Sequence, residues 1–196
     1  MGGVVSKERP SVAALSEDKE HLARETSFAD TSLTRLGAYV NYERTTKRKP
    51  IGKAPAETIA LVVEDDPDQL ALAVLRLNAA GYATQTADSV RSLHHRLQRR
   101  VPDALFLDIG LPDGDGFEVL ASLRRNPAYA DLPVIMLTVR TEPEDIARGL
   151  SLGADGYITK PYGRNTLDYV LRYTLKQEIA QASGSRPGAE PPRAAA

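Results

Sequence analysis

The run Phe106 to Leu120, FLDIGLPDGDGFEVL, holds a complete passage from strand to helix. It begins inside Asp103 to Leu107 (DALFL), which is apolar without alternation, the pattern of a strand covered on both faces. It then meets Asp108 and turns through LPDGDG, where Asp113 and Asp115 suit turn and cap positions. From Phe117 to Arg125 it becomes a helical stretch, which completes one βα unit.

Four similar units surround it. Strands are predicted at Thr58 to Val63, Tyr82 to Thr86, Val134 to Leu137 and Asp155 to Ile158. Helices are predicted at Asp68 to Ala80, Ser89 to Arg99, Pro143 to Leu152 and Asn165 to Ala180. In the first of these helices Leu70, Ala73, Val74 and Leu77 recur at helical spacing, and Gly81 supplies the stop. Residues 57–180 therefore read as an α/β domain, a (βα)5 pattern around a five-stranded parallel sheet.

Composition removes several function classes. The chain has 196 residues and a net charge of -1, and a content of 42% hydrophobic and 26% charged residues excludes global disorder and fibrous repeats. With no cysteine there is no disulfide framework, thiolate zinc site or Cys nucleophile, and three His are too few for most histidine metal clusters. No apolar run reaches the roughly 18 residues of a membrane span, and MGGVVSKERP lacks the apolar core of a signal peptide, so a cytoplasmic location is expected. The same start matches a myristoylation pattern at Gly2, but so short a pattern arises often by chance and no lipid anchor is expected.

Charge divides the chain at the ends of this domain. Residues 1–56 carry ten Lys and Arg against seven Asp and Glu, residues 57–180 carry thirteen against eighteen, and residues 181–196 carry two against one. The last stretch, QASGSRPGAEPPRAAA, has nothing to offset the entropy of ordering it and is expected to be a disordered tail. In the N-terminal extension, Ser16 to Glu25 and Ser32 to Arg44 suggest short helices, the second from the spacing of Leu33, Leu36 and Val40. The basic run Arg44 to Lys53, broken by Pro50 and Gly52, reads as an extended linker. It has no interleaved aromatic residues, and direct nucleic-acid binding is not expected of it.

In an open parallel sheet, ligands bind beyond the carboxyl ends of the strands. Four of those ends run into polar groups: Glu64, Asp65 and Asp66 after the first strand, Asp108 after the third, Thr138 at the fourth, and Lys160 and Pro161 after the fifth. Carboxylates gathered at one rim repel each other unless a cation sits among them, so Glu64, Asp65 and Asp108 point to a hard, oxygen-ligated metal, with Mg2+ the natural candidate. A carboxylate, a divalent cation, the Thr138 hydroxyl and the Lys160 ammonium can together stabilise a transferring phosphoryl group, and an aspartyl nucleophile is then chemically reasonable. Asp66 and Asp68 suit the N-terminus of a helix that starts at Pro67 better than they suit metal ligation. Alone, Thr138 would read as a strand-end residue and Tyr157 as a sheet aromatic, while His21, His94 and His95 read as surface residues.

The segments VVEDD at 62–66, FLDIGLPDGDGFEVL at 106–120, PVIMLT at 133–138 and GADGYITKP at 153–161 resemble the receiver domain of two-component response regulators, in the family's order and spacing. The resemblance covers residues 57–180 and implies a flavodoxin-like doubly wound sandwich with strand order 2-1-3-4-5. It implies Asp108 as phosphoacceptor, with Glu64, Asp65, Asp108 and the Gly110 backbone carbonyl around Mg2+. Thr138 would bind the phosphoryl group, Lys160 would pair with its oxygens after a cis bond to Pro161, and Tyr157 would be the switch aromatic that turns inward. The implied partners are a sensor histidine kinase or phosphotransfer protein and a downstream protein of unknown identity.

Three positions depart from the family pattern. Gly110 stands where the family often has a larger residue, which would open the site to water. Val139 follows Thr138 where Ala, Ser or Gly is usual, and its bulk would narrow access or hinder the inward turn of Tyr157. Gly156 replaces an acid common in the winged-helix branch, and no DNA-binding domain is recognised after the receiver, so output through protein contact is expected. The competing expectations are a receiver that gates an N-terminal segment binding nucleic acid or protein, and a receiver that works without phosphorylation. A metal-dependent phosphatase fits less well, because Gly110 occupies the place of a second carboxylate two residues after Asp108.

Overall fold

The structure, a computed structural model, describes residues 31–177. The helix expected at Ser16 to Glu25, the pattern at Gly2, His21 and the C-terminal tail lie outside the described residues.

Five strands form the predicted parallel sheet: β2 (Ile59–Val63), β3 (Ala83–Ala87), β4 (Ala104–Leu107), β7 (Val134–Thr138) and β8 (Gly156–Thr159). They lie in the order β3-β2-β4-β7-β8, which is the expected 2-1-3-4-5. A short antiparallel pair, β5 (Gly110–Leu111) and β6 (Gly114–Asp115), sits in the turn after Asp108. The connecting helices are α3 (Pro67–Ala79), α4 (Val90–Arg99), α5 (Gly116–Arg125), α6 (Pro143–Ser151) and α7 (Thr166–Leu175).

The edge strand β3 buries only Ala87, but in β2, β4, β7 and β8 nearly all residues are buried and alternate ones enter different cores. Leu61, Val63, Leu105, Leu107 and Met136 pack with Leu93, Phe117, Leu120 and Ile146 from α4, α5 and α6. Ala60, Val62, Phe106, Ile135 and Ile158 pack with Leu77, Leu167 and Leu171 from α3 and α7. Burial on both faces explains why these strands lack polar alternation. The helix starts also follow the sequence: Asp66 caps α3 by accepting from the backbone of Asp68 and Gln69, and Asp115 caps α5 by accepting from Phe117. Asp113 instead reaches across to cap α4, accepting from the backbone of Val90 at 2.7 Å and Arg91 at 3.0 Å.

The extension departs from its expected form. Residues 32–44 are not one helix but α1 (Thr31–Thr34), β1 (Ala38–Val40) and the start of α2 (Tyr42–Lys47). Gly37, at a φ of 68°, turns the chain through a conformation that L side chains rarely adopt, and β1 then runs antiparallel to β8, making the sheet six-stranded. Helical spacing had grouped Leu33, Leu36 and Val40; in the structure Leu33 and Val40 reach the α3/α7 core from separate elements, and Leu36 is exposed. The basic run is likewise not wholly extended, because Arg44 to Lys47 lie in α2, which Asn41 caps by accepting from the Arg44 N–H. Helix α7 stops at Leu175, earlier than the predicted stretch, as Lys176 takes a left-handed conformation.

Candidate functional site

Backbone bonds beyond the strand ends hold the rim residues in place. Glu64 N donates to Ala87 O, Asp108 N to Val63 O, and Lys160 N to Thr138 O, so each residue is fixed by the neighbouring strand. The Lys160–Pro161 peptide is cis, as expected.

Lys160 Nζ joins the two buried carboxylates, lying 2.5 Å from Glu64 Oε2 and 3.1 Å from Asp108 Oδ2. The other Asp108 oxygen accepts from the Ile109 N–H at 2.7 Å and, weakly, from the Gly110 N–H at 3.5 Å. Burial pushes the Glu64 carboxyl above its ordinary range, the Lys160 hydrogen bond opposes the rise, and the nearby Asp108 charge adds to it. Asp65 is exposed at the mouth of the site, and oxygens of Glu64, Asp65 and Asp108 all lie within 4.8 Å of one another. Three hard oxygen donors at this spacing suit a hard divalent cation, and the single ammonium of Lys160 leaves the cluster with excess negative charge.

Thr138 is buried and its Oγ1 accepts from the Arg140 N–H at 3.2 Å. The carbonyl of the same Arg140 accepts from the Tyr157 hydroxyl at 3.1 Å, so one residue's backbone connects Thr138 to Tyr157. The Tyr157 ring is turned inward and fully buried, and that burial pushes its hydroxyl well above the ordinary tyrosine value. Of the departures, Gly110 is exposed with open space where a Cβ would stand. Val139 is 68% exposed while the Tyr157 ring is fully buried, so the expected hindrance of the inward turn is not seen.

Two contributors escaped the sequence reading. A Cβ on Gly149 of α6 would approach the Tyr157 ring to 3.0 Å and the Phe117 ring to 3.3 Å, so a side chain there would press the inward ring by a few tenths of an ångström. In the sequence Asp155 reads only as the start of a strand. It is fully buried, with Arg44 and Arg48 on one oxygen at 3.2 and 2.7 Å and Arg124 on the other at 2.9 Å. An acid opening an otherwise apolar strand was the available signal, since a buried charge requires a partner.

The family model for the response regulator receiver domain matches residues 60–172. Among curated relatives, the transcriptional regulatory protein KdpE of Mycobacterium tuberculosis (strain CDC 1551 / Oshkosh) is 35% identical over 66% of this chain and 56% of its own. The phosphate regulon transcriptional regulatory protein PhoB of Escherichia coli (strain K12) is 39% identical over 60% of this chain and 51% of its own. The chain thus spans about half the length of these relatives. Among solved structures, the chemotaxis response regulator CheY4 of Vibrio cholerae is 30% identical, with a TM-score of 0.57 over 60% of this chain and 98% of that one. The signal receiver domain of a signal transduction histidine kinase from Syntrophus aciditrophicus is also 30% identical, with a TM-score of 0.57 over 66% and 98%. With the fold, strand order and rim cluster in agreement, the chain belongs to the response regulator receiver domain family of two-component signalling.

Proposed function

We propose that the protein is a phosphorylation-controlled switch in which Asp108 accepts a phosphoryl group from the phosphohistidine of a sensor kinase or phosphotransfer protein. The observation that carries this reading is Lys160 Nζ placed between Glu64 and Asp108, with Asp65 beside them. An Asp108 oxygen forms the bond to phosphorus as the phosphorus–nitrogen bond breaks. The electron pair leaves with the imidazole, which then takes a proton from solvent. Lys160 supplies positive charge to the phosphoryl oxygens, and the Thr138 hydroxyl offers them a hydrogen bond. Glu64, Asp65, Asp108 and the Gly110 carbonyl would hold Mg2+, which when bound neutralises charge on the phosphoryl oxygens.

The output we propose is a changed surface around Tyr157, read by a protein partner in the cytoplasm. Phosphoryl contact at Thr138 would pull on the Arg140 backbone and so on the Tyr157 hydroxyl. A second reading, that the receiver gates its N-terminal segment, is favoured by the pairing of β1 with the strand that carries Tyr157. The names of KdpE and PhoB as transcriptional regulators make DNA one possible target of such gating, against the sequence-based expectation for the basic run. Arg44 and Arg48 are engaged by Asp155, so a nucleic acid would have to meet other basic residues of the segment.

Intact mass after incubation with Mg2+ and acetyl phosphate, or with a promiscuous sensor kinase, tests the proposal. The expected result is one base-labile phosphoryl group on the wild type and none on Asp108→Asn. Absence of an adduct with every donor would overturn it in favour of a receiver that works without phosphorylation. Multiple turnover of a phosphomonoester would make the protein a phosphatase instead.

A further inference from the structure

In the parallel sheet β8 is a terminal strand, and its free side would present unpaired backbone groups able to recruit a strand from another chain. In this protein the side is taken by residues of the same chain. Ala38, Tyr39 and Val40 pair with Ile158, Tyr157 and Gly156. Two further backbone bonds close the ends of the ladder: Asn41 N donates to Asp155 O at 3.0 Å, and Thr159 N donates to Gly37 O at 2.9 Å.

A ladder this short does not account for the attachment by itself. The Asn41 side chain donates to Leu150 O on α6 at 3.1 Å, which ties the segment to the helix beside β8. Arg44 and Arg48 then reach past the edge to Asp155, and they also donate to Ala130 O and Asp131 O. Beyond Arg48 the chain passes through Pro50 and Gly52 without helix or strand until Pro55, held by a bond from Ile51 N to Leu175 O at 3.2 Å and by the Lys53–Asp103 pair.

We propose that the outer side of β8 is a strand-docking surface keyed by Asp155, that residues 37–48 are its occupant in cis, and that this occupancy keeps out the same segment of a second copy. The second copy is the fitting competitor because the contacts made in cis, the burial of Ala38 and Val40 together with the ladder, the Asn41 bond and the Arg–Asp155 pairs, can be remade identically between two chains that exchange the segment. Because Tyr157 lies on the docked strand, the occupant also covers the backbone of the residue proposed to signal.

The test uses the full chain without phosphodonor, so its outcome does not depend on the chemistry at Asp108. Backbone amide exchange at Asn41 and Thr159, together with sedimentation across a range of concentrations, is compared for the wild type, Arg44→Gln/Arg48→Gln and Tyr39→Pro. The second variant breaks the ladder from β1 without touching Asp155. The wild type should be protected and monomeric. Both variants should exchange at these amides roughly tenfold faster or more, retain protection in β2 and β4, and form a concentration-dependent dimer. Unchanged exchange in Arg44→Gln/Arg48→Gln removes Asp155 as the key, and opened variants that stay monomeric remove the second copy as competitor. Loss of protection in β2 and β4 as well would show that the segment is part of the global fold rather than a docked occupant, and would equally overturn the proposal.

Discussion

Asp108 and Asp155 are both buried aspartates at strand ends, but they lie at opposite rims of the sheet and in opposite electrostatic settings. Asp108 follows β4, retains 8% exposure, and shares one ammonium with Glu64. Asp155 precedes β8, is sealed from solvent, and faces three guanidinium groups and the Val134 N–H. The first carboxylate is under-neutralised and open at the Gly110 side, which suits a group that must attack or receive a cation. The second is over-neutralised and closed, which suits a fixed joint between segments distant in sequence. Both are carboxylates taken largely out of water, and the two side chains differ in what surrounds them.

The largest effect should come from breaking the closed site. Asp155→Ala leaves three guanidinium groups around an empty position and should cost about 3–5 kcal/mol of stability, read as a lowered urea midpoint. The arginines should then rank by geometry. Arg48→Gln, which removes the shorter contact and the less exposed side chain, should speed exchange at the Asn41 amide more than Arg44→Gln does, with protection in β2 and β4 kept by both. The smallest effect belongs to the carboxylate proposed to be phosphorylated. Asp108→Asn removes a charge that already repels Glu64, so stability should change by less than about 1 kcal/mol while phosphorylation is lost entirely. Equal costs at Asp108 and Asp155 would erase the distinction between them.

The same contrast marks what could be read from sequence. The βα pattern was legible because strands buried on both faces leave long apolar runs such as IALVV and VIMLT, and the rim residues were legible because each immediately follows such a run. Strand β1 was not, because three residues are too few to establish a period, and the spacing of Leu33, Leu36 and Val40 imitates a helix. The partners of Asp155 were hidden for another reason: Arg44 and Arg48 stand more than a hundred residues away, in a run whose charge suggests a solvated linker. Gly149 was invisible because its contribution is an absent side chain beside Tyr157.

The link from Thr138 to Tyr157 runs through the amide and carbonyl of Arg140, not through its side chain. Any residue except proline carries the same donor and acceptor. The identity of position 140 can therefore drift among descendants of this sequence with the connection intact, because the side chain, which here pairs with Asp145 at 3.7 Å, takes no part in it. Part of the wiring between chemistry and surface would thus be inherited as backbone geometry, with no residue type to betray it.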